Sequence, residues 1–266
     1  MKIIPYIVTA LVLSSCGDSD QVKEQETIVP EKTAVEEQHA VPEKEQGTSG
    51  LKTELRILLP TTYREWEGKT PVDNLTKEWV ELYRKNGRYY LEKADYKIEA
   101  DVDECSGSDT KTIVPKRDAV LLISLPNLES GEINAVKIPK KKIWPKEKTT
   151  FRYNGTDYFL RAEGEIIPGE ETTDPEREQF HNVKNYKLYI STSTIAETLF
   201  LEEKSFNDTF VELLFAGDID RDGKLDFIVG ASRDYEEERV ILFLSSNAKE
   251  GGIVKNVAEI AIQFDC

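Results

Sequence analysis

The chain has 266 residues, of which 50 are Asp or Glu and 35 are Lys or Arg, giving a formal net charge of −15. Nucleic acid is excluded as a partner, because its binding depends on Lys and Arg neutralising phosphates. The chain contains three cysteines and two histidines. We expect no zinc site, because two cysteines without a neighbouring histidine cannot complete a tetrahedral shell.

The first residues have the pattern of a bacterial secretion signal. Lys2 is followed by the apolar run Ile3–Leu13, which is shorter than the ~20 residues needed to span a bilayer. Residues 13–16 (LSSC) resemble the lipobox of bacterial lipoproteins. The resemblance implies a signal peptide over residues 1–15, lipidation of Cys16 and a membrane-anchored lipoprotein of the cell envelope, with the outer membrane favoured. The alternative is an ordinary signal peptide with a chance cysteine.

A polar segment follows the signal. Residues 17–50 contain nine acids, three lysines and no aromatic residue. Such a composition cannot bury enough apolar surface to offset the entropy lost on ordering. We therefore predict a lipid-anchored, disordered acidic tether over residues 16–50 and a globular domain over residues 51–266, which is long enough for one sizeable core or for two small ones.

Alternation of polar and apolar residues with a period of two dominates the domain and predicts a mainly β fold. We expect an antiparallel β-sandwich or a partly closed barrel with few short helices. The turns Asn86-Gly87 and Asn154-Gly155 predict tight hairpins. A short helix is expected at Val72–Lys77, and an acidic loop at Glu165–Asn182. The predicted strands are Glu54–Leu59, Glu78–Lys85, Arg88–Ala100, Ala119–Ser124, Thr150–Tyr153, Thr156–Ala162, Tyr186–Ser191, Thr198–Glu202, Phe210–Phe215, Phe227–Val229, Val240–Leu244 and Ala258–Phe264.

One segment late in the domain has the spacing of a cation-binding loop. Asp218, Asp220, Asp222 and Asp226 occupy positions one, three, five and nine of a D-x-D-x-D-G-x-x-D pattern. The main-chain carbonyl of Lys224, at position seven, would add another oxygen. Ca²⁺ takes six to eight oxygen ligands at roughly 2.3–2.6 Å. The pattern therefore predicts a calcium site, with Leu225 at position eight turned into the core.

Residues 217–231 resemble the calcium loop of FG-GAP repeats, which lies between two strands. The resemblance implies that the four aspartates are side-chain ligands. An EF-hand would have a bidentate glutamate at position twelve, where this chain has Val229, and the flanking residues are strand-like. Only one copy of the motif is present, so a propeller built from repeats is not expected. The alternative is an acidic turn held by Asx-type hydrogen bonds.

The two remaining cysteines are Cys105 and Cys266. Outside the cytoplasm, two such thiols favour a disulfide, which would tie the last residue of the chain to its middle. Two unpaired thiols are the alternative.

The only basic stretch contains lysines between Lys137 and Lys148, with Trp144 among them. It would contact anionic lipid headgroups or a surface polysaccharide, or would be an exposed loop with Trp144 packed inward.

These features predict a cell-envelope lipoprotein with a structural or ligand-binding role and no catalytic activity. Its expected partners are the membrane, through the N-terminal lipid, and a protein or polysaccharide that the sequence does not identify. Two alternatives remain. One is an acidic inhibitor or protective lipoprotein that binds a basic protein, and the other is an envelope hydrolase that uses carboxylates.

Overall fold

The computed structural model describes residues 55–167 and 182–264, all of which belong to one compact unit. The predicted signal peptide, Cys16, the predicted tether and Cys266 lie outside the described residues, as does most of the predicted acidic loop. Within the described ranges, no helix has the length and apolar character that crossing a membrane requires.

Strands make up most of the described chain, and they pair only in antiparallel fashion. A short 3-10 helix covers Pro71–Asn74. The strands are β1 (Arg56–Leu58), β2 (Thr62–Arg64), β3 (Val80–Lys85), β4 (Arg88–Lys93), β5 (Tyr96–Val102), β6 (Asp109–Pro115), β7 (Asp118–Ser124), β8 (Gly131–Ile133), β9 (Lys148–Tyr153), β10 (Thr156–Ile167), β11 (Asn182–Thr192), β12 (Thr198–Ser205), β13 (Glu212–Gly217), β14 (Asp226–Gly230), β15 (Glu237–Leu244) and β16 (Lys255–Gln263).

These strands form four sheets. The first has the order β1-β7-β3-β4-β8, the second β12-β11-β10-β9, the third β13-β14-β15-β16, and a small fourth sheet has the order β2-β6-β5. None of the four closes on itself. The prediction of a mainly β, antiparallel fold with few short helices is confirmed.

In the third sheet, here called the central sheet, strands β13, β14 and β15 bury residues on both faces, whereas the edge strand β16 is largely exposed. Alternate residues of a strand point to opposite faces, and in β14 Phe227 packs into one hydrophobic cluster while Ile228 packs into the other. The first cluster joins the central sheet to the sheet β9–β12, and the second joins it to the five-stranded sheet. The central sheet therefore lies between two cores.

Several predicted elements differ from those observed. The predicted strand Arg88–Ala100 is two strands, because the chain leaves the sheet between Lys93 and Tyr96. The predicted helix at Val72–Lys77 is the 3-10 turn that ends at Asn74. The predicted acidic loop begins too early, since Glu165–Ile167 belong to β10 and pair with β11. Strands β2, β6 and β8 were not predicted, because they are short or rich in Thr, Lys and Pro.

Both Asn-Gly hairpins are confirmed. Asn86 and Asn154 have φ angles of 51° and 43°, and the glycine after each also has a positive φ. These are the left-handed conformations that a type I′ turn requires. The second turn matters for the site described next, because it places Asn154 beside the aspartate loop.

Candidate metal centre

The aspartate loop connects β13 to β14, at the edge of the central sheet. Arg221 and Gly223 have φ angles of 62° and 84°, so the chain turns sharply between Asp220 and Lys224. The glycine at position six takes this left-handed conformation without steric cost. The flanks are strands, as the sequence predicts for this loop.

Three of the predicted ligands converge. One carboxylate oxygen from each of Asp218, Asp220 and Asp222 lies within 4.8 Å of the others. Asp218 is buried, Asp220 is half-buried and Asp222 is exposed. Three negative charges this close repel each other unless a cation or protons compensate them. The arrangement is therefore suited to holding a cation of the kind that carboxylate oxygens bind.

Asp218 has an unusual hydrogen-bonding state. Its Oδ2 accepts from the amide of Gly223 at 3.0 Å and from the hydroxyl of Tyr153 at 3.2 Å. Its Oδ1 is buried and has no hydrogen-bond partner among the residues that the structure describes. Burial is the main reason that the pKa of Asp218 is raised, and the charges of Asp222 and Asp220 add to it. A buried acceptor without a partner costs about 1–3 kcal/mol, a cost that a cation at this oxygen would remove.

Asp220 and Asp222 also accept hydrogen bonds from backbone amides within the loop. The amide of Asp222 donates to Asp220 Oδ1 at 3.3 Å, and the amide of Lys224 donates to Asp222 Oδ1 at 2.9 Å. The hydroxyl of Ser246 donates to Asp220 Oδ2. The Lys224 ammonium lies 3.8 Å from Asp222 Oδ2 at the exposed rim. The predicted ligand role of the Lys224 carbonyl stays a prediction.

The structure places Asp226 differently from the other three aspartates. It is fully buried and is not a member of the three-carboxylate cluster. Its Oδ2 accepts from the amide of Ile219 at 2.7 Å, and its Oδ1 accepts from the amide and hydroxyl of Ser245 at 2.8 and 3.0 Å. Burial, followed by the charge of Asp220, raises its pKa to about 7. In this arrangement Asp226 ties the two ends of the loop to the end of β15.

Two apolar residues of the loop anchor it in opposite directions. Ile219 and Leu225 are fully buried, the first in the core shared with the five-stranded sheet and the second in the core shared with the sheet β9–β12. The inward position of Leu225 agrees with the sequence prediction. These two buried side chains fix the backbone on either side of Asp220 and Asp222.

Neighbouring elements brace the loop from outside. The amide of Asp218 donates to the carbonyl of Asn134 at 3.0 Å, and the side-chain amide of Asn154 donates to the carbonyl of Gly223 at 2.9 Å. The guanidinium of Arg221 donates to the carbonyl of Ser130 at 3.0 Å. The sequence does not reveal these partners, because they lie in turns and connections far away along the chain.

Comparisons with protein-family models, with curated proteins and with solved structures find no match.

Proposed function

We propose that this protein is a cell-envelope lipoprotein whose β domain binds one Ca²⁺ at the aspartate loop, with a structural or ligand-binding role and without catalytic activity. One observation carries the proposal. Three aspartate carboxylates converge within 4.8 Å, and one buried oxygen among them, Asp218 Oδ1, has no hydrogen-bond partner in the described part of the chain.

The choice of Ca²⁺ follows from the donor set. The acidic side chains that converge offer carboxylate oxygens, and the predicted seventh-position carbonyl of Lys224 would add another oxygen. Ca²⁺ accepts six to eight oxygens in flexible geometry, whereas Mg²⁺ demands a near-ideal octahedron and keeps several waters. An irregular loop with one buried carboxylate and two carboxylates that are more accessible suits the larger ion, and water would complete its coordination shell.

A bound ion would chiefly stabilise the fold. The loop is attached to both hydrophobic cores through Ile219 and Leu225, so fixing it also fixes the edge of the central sheet. Binding to the native state alone contributes RT ln(1 + [Ca²⁺]/Kd), or about 2.7 kcal/mol at a hundredfold excess over Kd. For a domain of this size that corresponds to a rise in melting temperature of roughly 5–10 °C.

The test is a calorimetric titration of Ca²⁺ into the metal-stripped chain, with melting curves in parallel. We expect saturable binding and a raised melting temperature, both lost in Asp220→Ala. Asp101→Ala is the matched control, because it removes one exposed carboxylate on β5, outside the three-carboxylate cluster. Absence of heat and of a thermal shift at several millimolar Ca²⁺, the weak end for extracellular sites, would reduce the loop to an acidic turn.

Anchoring through Cys16 is part of the same proposal and is supported by the residues that resemble a lipobox. It is tested by metabolic labelling with a fatty acid. We expect label in the native protein and none in Cys16→Ser, which should also leave the membrane fraction. Outer-membrane location is tested by separating the two membranes on a density gradient.

The Cys105–Cys266 disulfide also stays a proposal, and contacts near Cys105 support it. The guanidinium of Arg64 donates to Asp103 Oδ2 at 2.9 Å and to the carbonyl of Phe264 at 3.3 Å. Asp103 Oδ1 in turn accepts from the amide of Cys105 at 3.0 Å. The described chain thus ends close to the Cys105 turn. Non-reducing peptide mapping should recover the linked pair.

A further inference from the structure

A second candidate site lies where the five-stranded sheet meets the central sheet. After β8, the chain crosses to the central sheet, where Ala135 bridges to Gly217 and the amide of Val136 donates to the carbonyl of Ala216 at 2.9 Å. Beside this crossing is an open cleft of about 920 Å³, here called the basic groove. Its size falls within the ~300–1,000 Å³ typical of ligand sites.

The charge of the basic groove is opposite to that of the whole chain. It is lined by the cationic side chains of Arg84, Arg88, Lys137 and Lys141, and Glu132 is the one acid among the described residues of its lining. Acids outnumber Lys and Arg by 50 to 35 in the chain as a whole. A local positive field in an acidic protein draws anions to that place and orients them there.

These cations are available to a ligand. Lys137 and Lys141 are exposed, and within the described ranges their ammonium groups form no ion pair. Arg84 and Arg88 pair with acids through contacts of 3.1 Å each, and all four side chains of these two pairs are 46–66% exposed. Such pairs contribute little to stability, so a better-placed carboxylate can replace them.

Three polar residues of the lining are suited to hydroxyl groups. Tyr89, Asn134 and Asn154 border the groove. Asn side chains both donate and accept hydrogen bonds, which matches the hydroxyls of a sugar. Phe215 packs edge-on against Tyr89 with ring centroids 4.9 Å apart, so the tyrosine ring is held in place.

We propose that the basic groove binds a carboxylate-bearing oligosaccharide, whose acid groups pair with Lys137, Lys141 and the two arginines. This inference names a ligand for the binding role in the proposed function, and it does not require the metal. A membrane surface fits less well, because none of the exposed large apolar side chains among the described residues lines the groove. Interfacial binding uses such side chains together with charge.

The test is calorimetric titration of trigalacturonate into the full chain in metal-free buffer, so that calcium bridging by the sugar plays no part. We expect saturable binding that weakens as salt rises. The double variant Lys137→Ala/Lys141→Ala should bind about tenfold more weakly or worse, since two charge-assisted contacts are lost. The double variant Lys148→Ala/Lys204→Ala is the control, because it removes the same charge from exposed positions outside the groove.

Four results would overturn this inference: no binding of trigalacturonate, equal binding of neutral maltotriose, equal loss in both double variants, or tighter binding to phosphatidylglycerol vesicles or polyglutamate. Repeating the titration with Asp220→Ala separates the two proposals. Asp220→Ala should lose Ca²⁺ binding and retain sugar binding if both proposals hold; in the native chain, sugar binding without Ca²⁺ binding leaves the groove standing alone, and Ca²⁺ binding without sugar binding leaves only the metal site.

Discussion

Replacing Gly217 by alanine tests how tightly the aspartate loop is braced. A Cβ atom at this position would lie 2.6 Å from Cζ of Phe215, 2.8 Å from the carbonyl oxygen of Asn134 and 2.9 Å from Cα of Ala135. Two of these three atoms belong to backbone, which cannot swing aside as the end of a side chain can. The segment that crosses from β8 to the central sheet must therefore move away.

The cost can be estimated from similar cases. Inserting a methyl group into a close-packed region typically costs 1–3 kcal/mol, and here the shift would also strain the hydrogen bond from Asp218 to Asn134. For a domain of this size, about 2 kcal/mol corresponds to a fall of roughly 4–8 °C in melting temperature. We expect urea unfolding of Gly217→Ala to show a lower midpoint with an unchanged slope.

Gly230→Ala is the matched control for this experiment. Gly230 also lies in the central sheet, and a Cβ there would come no closer than 3.4 Å to the side chain of Leu214. Reduced freedom of the unfolded chain should make this variant neutral or slightly stabilised, by up to about 1 kcal/mol. Equal stability of the two variants would refute the argument that the β8 crossing packs directly on Gly217.

Three further predictions concern the loop and the Cys105 turn. Leu225→Ala should lower the free energy of unfolding by about 2–5 kcal/mol in urea titrations, because Leu225 is fully buried. The control Leu199→Ala, at a half-exposed position, should lower the free energy of unfolding by less than about 1 kcal/mol. Tyr153→Phe removes a hydrogen-bond donor to buried Asp218 and should lower the free energy of unfolding of the metal-free protein by about 1–3 kcal/mol. An unchanged midpoint of urea unfolding would contradict this role of Tyr153. Hydrogen bonds from Ser106 and Arg64 lower the pKa of Asp103 to about 2. The contribution of the Asp103 carboxylate to stability is therefore present above about pH 4 and is lost as the pH falls toward 2. Asp103→Asn should flatten the fall in melting temperature over that range, and an unaltered profile would show that other groups dominate it.

The sequence predicted those features that depend on neighbours along the chain. The Asn-Gly turns, the long alternating strands and the turn at Gly223 all follow from local preferences of a few adjacent residues. The convergence of Asp218, Asp220 and Asp222 follows for the same reason, because one sharp turn brings alternate residues together.

Features that depend on distant residues could not be predicted. The spacing of the motif assigns Asp226 the same role as the other aspartates, but its hydrogen bonds to Ser245 depend on β15 lying next to β14. Likewise, β8 consists of only three residues and begins with glycine, so its pairing with β4 is set by tertiary contacts. The basic groove is assembled from four separate parts of the chain, and nothing in the local sequence indicates that they meet.

The hydrogen bonds that hold the aspartate loop come from distant parts of the chain, and this affects the order of folding. The contacts of the loop include those from Ser130, Asn134, Tyr153, Asn154 and Ser245, which are separated from their partners in the loop by 19 to 91 residues. Contacts between residues far apart in sequence form late, because long loops must close first. The carboxylates should therefore reach their final positions only after both cores have docked on the central sheet. Ca²⁺ would then act on the unfolding rate far more than on the folding rate, and would lengthen the lifetime of the native protein without speeding its assembly.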